Sequence, residues 1–215
     1  MGSFSRERFE SLPIVGILRG LPDACLGPLL DVVCRAGLTN IEITMNTVGA
    51  ANQIRSACQL AGGRLNIGAG TVTDVERLEE ALGAGASFIV TPTIVEPVLK
   101  QCAQAKIPVF PGAFSPTEIL RAWDLGAAMV KVFPADAIGV GGIEALTEAM
   151  PELRLMPTGG VDVDTLAAFA RAGAAGYGIG SPLFPRPRLA AGDWAWLEDR
   201  SRAFVRAYHQ AHPAP

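Results

Sequence analysis

The sequence predicts an α/β protein, a single (β/α)8 TIM barrel over residues 1–215 with a short N-terminal helix. Three observations predict it. Helical segments close in a small or apolar residue plus glycine, at Ala36-Gly37, Ala84-Gly85, Leu125-Gly126 and Ala172-Gly173, and a short apolar strand follows within a few residues. The unit repeats at about 20–25 residues, the length of one helix, one strand and two short loops. The strands are short and apolar throughout, as parallel strands covered by helices must be. An open doubly wound sheet is the rival, but no G-x-G-x-x-G follows the first strand and the repeats run evenly to the end.

The elements justify themselves in order. Residues 3–11 read as a short amphipathic helix with Phe4 and Phe9 inward, ended by Pro13. Ile14–Leu18 is the first strand, followed by Arg19-Gly20; Asp23 then caps a helix that Gly37 stops. Residues 41–43 form the second strand and 48–60 a helix. Residues 65–67 form the third strand, running into Gly68-Ala69-Gly70-Thr71, and Asp74 caps the helix that ends near Gly85. Residues 88–90 form a strand before Thr91-Pro92-Thr93, 95–105 a helix, and 109–110 a strand before Pro111-Gly112. Pro116 suits the first turn of a helix that Gly126 stops. The sixth strand holds Lys131, and a helix is expected over 143–150. Residues 153–156 form a strand leading to Pro157-Thr158-Gly159-Gly160, and Asp162 or Asp164 caps the next helix. Residues 176–179 form the last strand, leading to Gly180-Ser181 and a helical turn. Asp193 starts a final helix whose Trp196, Leu197, Phe204 and Tyr208 fall at core-packing spacing.

Composition excludes several classes of function. The formal net charge is −3 and no basic run exists, so neither nucleic acid nor an anionic membrane surface is an expected partner. Residues 1–12 are polar and no apolar stretch reaches membrane-span length, which predicts a cytoplasmic protein. Cys25, Cys34, Cys58 and Cys102 form no C-x-x-C pair and read as reduced buried thiols. Both histidines, His209 and His212, lie in the tail, which argues against a histidine-based triad or a histidine-ligated zinc.

The chemistry concentrates on one residue. The chain has three lysines, and Lys131 sits in the apolar run Met129-Val130-Lys131-Val132-Phe133. Lys100 and Lys106 occupy partly polar helical surroundings instead. A desolvated ammonium loses its proton more readily, and the neutral amine is the nucleophile of Schiff-base chemistry. A strand-end lysine that reaches water or pairs with a carboxylate is the alternative. Glu42 is the other titratable side chain within a strand, so a Glu42–Lys131 ion pair is one reading and a catalytic pair the other. The loops after strands seven and eight carry Gly159-Gly160 and Gly180-Ser181, where barrels of this kind hold phosphate on backbone N–H groups. Gly68-Ala69-Gly70-Thr71 offers further donors for a carboxylate. An imine-forming lysine, one carboxyl group, a carboxylate nest and a phosphate loop describe a metal-independent aldolase for a phosphorylated 2-keto acid. A phosphosugar isomerase or epimerase would share the phosphate loops without needing Lys131.

The strand ends together resemble one family. Gly16-Ile17-Leu18-Arg19-Gly20, Ile41-Glu42-Ile43-Thr44-Met45-Asn46-Thr47, Gly68-Ala69-Gly70-Thr71-Val72 and Val90-Thr91-Pro92 come first. Phe110-Pro111-Gly112, Val130-Lys131-Val132-Phe133-Pro134-Ala135, Pro157-Thr158-Gly159-Gly160-Val161 and Gly180-Ser181 follow in order. The chain resembles the class I 2-keto-3-deoxy-6-phosphogluconate and 2-keto-3-deoxy-6-phosphogalactonate aldolases over nearly its whole length. The resemblance implies reversible cleavage to pyruvate and glyceraldehyde 3-phosphate, with Lys131 as the imine residue and Glu42 as the single general acid/base. It implies Thr71 at the pyruvate carboxylate, Pro92 and Phe133 at the pyruvoyl methyl, and Gly159, Gly160, Gly180 and Ser181 at the phosphate. It further implies a homotrimer and no metal or other cofactor. Arg19 and Asn46 match the galactonate branch, whereas Thr158 matches the gluconate branch. Activity on unphosphorylated 4-hydroxy-2-oxoglutarate is the alternative specificity.

Overall fold

The computed structural model describes residues 3–213. The first half alternates α1 (Arg6–Ser11), β1 (Ile14–Leu18), α2 (Asp23–Ala36), β2 (Asn40–Thr44), α3 (Ala50–Ala61), β3 (Asn66–Gly70), α4 (Val75–Gly83), β4 (Ile89–Val90) and α5 (Glu96–Ala105). The second half runs β5 (Val109–Phe110), β6 (Gly112–Ala113), α6 (Pro116–Asp124), β7 (Val130–Val132), α7 (Ala135–Ala149), β8 (Leu155–Pro157), α8 (Val163–Arg171), β9 (Tyr177–Ile179), α9 (Arg186–Ala191) and α10 (Trp194–Ala211). Every paired strand is parallel. Among the described residues no helix is long and apolar enough to cross a membrane.

The strands differ from the expected set of eight. They form a curled six-stranded sheet, β5-β4-β3-β2-β1-β9, and a three-stranded sheet, β6-β7-β8. Pro111, which has no N–H to give a ladder, separates β5 from β6. A bridge between Thr158 and Gly178, with Ala175 N donating to Leu155 O at 2.8 Å, links the β8 and β9 segments.

Several local expectations hold for stated reasons. Asp74 caps α4 by accepting from Arg77 N, and Pro116 opens α6, where Ser115 and Glu118 add a reciprocal capping box not foreseen from the sequence. Asp162, not Asp164, caps α8. Gly37 ends α2 in the left-handed conformation at φ 89°. Two expectations fail. Asp23 is the first residue of α2 rather than its cap, and its Oδ1 instead accepts a bond from Gln53 Nε2 at 2.6 Å. The helix expected at 143–150 begins at Ala135, with a break at Gly139 (φ 73°, ψ 173°). The glycines of Gly139-Val140-Gly141-Gly142 hide its first turns from a propensity reading.

Two cores result. The larger joins the outer strand faces to the helices and includes Ile41, Ile43, Leu78, Ile119, Leu197 and Phe204. The smaller lies within the curl and consists of Phe9, Val15, Phe88, Val90, Phe110, Met129 and Met156. Phe9 stacks on Phe110 with ring centroids 5.3 Å apart, and Phe88 lies 5.5 Å from Phe110. Phe4, partly buried, adds an edge contact to Phe88 at 5.9 Å. Asn66 ties α1 to this end of the strands, accepting from Ser5 N at 2.9 Å and donating to Ser5 O at 3.0 Å. The short N-terminal helix therefore stoppers the N-terminal ends of the strands and leaves chemistry to the other end.

Candidate active site

Side chains alternate along a strand, so residues two apart share a face. On the inner face this gives Met129 then Lys131 then Phe133, and Met156 then Thr158. The lower member of each series joins the apolar core inside the curl, and the upper members reach a cavity of about 520 Å³ at the C-terminal strand ends.

Lys131 lines this cavity yet is only 7% exposed. Its Nζ stands 5.2 Å from the centroid of the Phe133 ring. Burial lowers its pKa, Arg19 lowers it further, and the charge of Glu42 opposes both. Glu42 on β2 is 1% exposed, and among the described residues its Oε2 has no hydrogen-bond partner. Burial pushes its pKa up against the pull of Lys131 and Arg19. Among the described residues no ion pair within 4.0 Å joins the two. The simple structural pair is therefore absent. Burial works against the charged form of each group, raising the Glu42 pKa and lowering that of Lys131, while their opposite charges partly offset this.

The structure brings the other expected residues to the same cavity. Arg19, Asn46, Thr71 and Pro92 come from the loops after β1 to β4. Phe133 follows β7, Thr158, Gly159 and Gly160 follow β8, and Gly180 and Ser181 follow β9. Glu42 is not among the lining residues and lies beneath them. Thr71 adopts φ 56°, a left-handed conformation rare for a β-branched residue and costing about 1–3 kcal/mol. The turn directly after Gly70 brings Thr71 to the cavity wall, while Val72 N donates to Val90 O at 3.2 Å. Gly159 and Gly160 both have positive φ, 86° and 74°, and a Cβ at Gly160 would meet Asp136 Cβ at 2.7 Å. Only glycine fits there, and the bare backbone faces the cavity. After β9, Leu183 N and Phe184 N both donate to Gly180 O at 2.9 Å, closing the expected helical turn.

Sequence reasoning missed Ile17, Phe184, Arg186 and Leu189, which also line the cavity. Alternation from Arg19 would have found Ile17. Arg186 had a weaker signal, a cation following the phosphate-loop candidate Gly180-Ser181. The tail histidines stay away from the cavity: His212 stacks on Tyr208 at 4.3 Å between ring centroids. Lys100 and Lys106 are exposed, as expected. The cysteines are free, and Cys102 is buried. Among the described residues no group of three or more His, Cys, Asp or Glu side chains is placed to hold a metal.

A buried amine at the floor of a cavity, backed by a buried carboxyl and rimmed by glycine turns, defines an enzyme of carbonyl chemistry on an α/β scaffold. Comparison with known proteins supplies the family. The family model "KDPG and KHG aldolase" matches residues 6–199. A probable 2-dehydro-3-deoxy-6-phosphogalactonate aldolase of Rhizobium meliloti is 33% identical over 91% of this chain and 91% of its own. A 2-dehydro-3-deoxy-phosphogluconate aldolase of Pseudomonas aeruginosa is 33% identical over 94% of this chain and 91% of its own. A solved structure described as native KDPGal superposes with a TM-score of 0.88 at 30% identity, covering 98% of each chain. The chain belongs to the KDPG and KHG aldolase family, and it is a carbon–carbon lyase.

Proposed function

We propose that the protein is a class I aldolase that reversibly cleaves a 2-keto-3-deoxy-6-phosphohexonate, of gluconate or galactonate type, to pyruvate and glyceraldehyde 3-phosphate. The observation that carries this reading is Lys131: a lysine nine-tenths buried, lining the cavity and disfavoured as a cation. Its neutral amine attacks the C2 carbonyl, and loss of water from the carbinolamine leaves the imine. The iminium then accepts the electron pair of the C3–C4 bond as the C4 hydroxyl gives up its proton. The triose phosphate departs, the enamine is protonated at C3, and water releases pyruvate from Lys131.

Glu42 is the group assigned to these proton transfers. Burial raises its pKa above that of an ordinary glutamate, the direction in which enzymes tune a carboxyl for general acid/base work. The Thr71 turn receives the pyruvate carboxylate, and Pro92 and Phe133 flank the pyruvoyl methyl. Gly159, Gly160, Gly180 and Ser181 hold the phosphate. Arg19, Asn46 and Thr158 face the polyol between them and set its stereochemistry. Nothing in these steps calls for a metal, because the imine nitrogen is the electron sink.

The scaffold reading extends the same way. We read Val109–Phe110 and Gly112–Ala113 as one strand interrupted at Pro111 and the Thr158–Gly178 bridge as the seam of an eight-stranded barrel; the all-parallel pairing supports this. The whole chain, residues 1–215, works as one domain. Phe114, which does not line the cavity, is 44% exposed. We read this apolar surface as covered in a homotrimer, and the enzyme as cytoplasmic.

Borohydride reduction with pyruvate, followed by mass analysis, tests the reading. Reduced pyruvate is expected on Lys131 alone, with Lys100 and Lys106 unmodified. Label elsewhere, or none at saturating pyruvate, would overturn the mechanism.

A further inference from the structure

The two loops read as the phosphate site come from different strands, joined beneath them by the Thr158–Gly178 bridge and by Ala175 N donating to Leu155 O at 2.8 Å. Their cavity-facing positions are largely glycine, which has no side chain with which to pack one loop on the other. Something behind the loops must set their spacing. We propose that Arg200 is the positioning residue that braces the Gly159-Gly160 loop against the Gly180-Ser181 loop and so fixes the phosphate donors; the proposal rests on the reading of these loops as the phosphate site.

Arg200 lies on α10, one place beyond the stretch matched by the family model. Its Nε donates to Pro182 O at 2.8 Å, and its Nη2 donates to Asp162 Oδ1 at 2.8 Å. Pro182 lines the cavity beside Ser181. Asp162 follows Gly160 by two residues, caps α8, and is knit back to the same loop. Its N–H donates to Thr165 Oγ1 at 2.8 Å, and that hydroxyl donates to Gly160 O at 2.9 Å. One guanidinium thus grips both loops at once. The guanidinium carbon sits 4.9 Å from the Phe204 ring centroid, one helical turn away, which holds the fork in place.

The geometry needs arginine. Its two donors diverge in a rigid plane and reach separate acceptors, whereas a lysine offers one point charge. The pairing also offsets the Asp162 carboxylate, which would otherwise repel a phosphate bound two residues away. Preorganised donors lose their value when displaced by as little as about 0.5–1 Å.

The test compares kcat/KM for the phosphorylated 2-keto-3-deoxy acid with that for the same acid lacking phosphate. It is run on the parent, Arg200→Gln and Arg200→Lys, with inorganic phosphate as competitive inhibitor. Arg200→Gln is expected to cut the ratio of the two kcat/KM values on the order of 10-fold, through KM more than kcat. It should weaken phosphate inhibition in parallel, and Arg200→Lys should recover part of the ratio. A parent that discriminates beside a variant with an unchanged ratio, or equal losses on both substrates, would overturn the brace. A parent indifferent to phosphate overturns the reading of the loops, and the brace with it. Asp162→Asn keeps the cap on α8 and weakens the brace from the other end. It should lower the ratio by about threefold, since charge-assisted bonds are roughly twice as strong as neutral ones, and an unchanged ratio there counts equally against the proposal.

Discussion

Gly70 and Glu42 share one space: a methyl group at Gly70 would collide with Glu42 Oε1. The buried carboxyl occupies room that a glycine on the neighbouring strand leaves open. β2 and β3 pair in register, Glu42 opposite Gly68 and Thr44 opposite Gly70, so the collision cannot be avoided by sliding one strand. Gly70→Ala is expected to displace the carboxyl and lower cleavage about 10²-fold, the usual result of moving a reactive group by an ångström. Trapping of pyruvate on Lys131 should survive. Cleavage assays beside borohydride trapping check this, and near-parent cleavage would show that the position of Glu42 is immaterial.

Glu42→Gln keeps the shape and removes the proton-transfer group. Cleavage is expected to fall by about 10²–10⁴-fold, the typical worth of general acid–base catalysis. Thermal melting should change little, because Oε2 already lacks a partner. Turnover close to the parent's would reduce Glu42 to a structural residue.

The rate of imine formation with pyruvate should rise with pH as Lys131 loses its proton, with its midpoint below the value of about 10.4 for an ordinary lysine. Arg19 lowers the Lys131 pKa and Glu42 raises it. Arg19→Gln should therefore move the midpoint to higher pH, and Glu42→Gln should move it lower. Rapid-mixing trapping across a pH series checks both signs. Shifts in the same direction would show that these two charges do not govern Lys131.

The Gly180 Cβ position has ordinary room, with Ile17 Cβ 3.9 Å away. Gly180→Val should accordingly fold, with its added methyl groups entering the cavity that Ile17 also lines. Loss of several charge-assisted bonds, each worth about 1.5–3 kcal/mol, predicts a drop of at least about 10²-fold in kcat/KM for the phosphorylated substrate. Imine formation with pyruvate should persist. Comparing substrates with and without phosphate on both proteins measures it. Equal constants on the parent would assign the enzyme to unphosphorylated acids such as 4-hydroxy-2-oxoglutarate.

Much of this site was legible because barrel-type chemistry sits at strand ends, and strand ends are marked by where apolar runs stop. Lys131 stood out for the same reason: an ammonium in an apolar run conflicts with its surroundings. The left-handed turn at Thr71 was not legible, since threonine does not announce positive φ. Nor was the early start of α7, where glycines at 139, 141 and 142 contradict the helix that tertiary packing imposes. Arg200 was invisible for a different reason. Its partners lie 18 and 38 residues away in sequence, and no local pattern encodes such a contact.

The aromatic stopper of Phe4, Phe9, Phe88 and Phe110 fills the strand ends opposite the cavity, so under the proposed mechanism the reaction chamber works as a well entered from the side of the proposed phosphate loops. Traffic in such a well is last in, first out. Under the proposed mechanism the triose, nearer the mouth, leaves before pyruvate is released from Lys131, and in the synthetic direction pyruvate enters first. The same stopper closes the strand ends opposite the mouth, so the water that finally hydrolyses the imine follows the path the triose has just vacated.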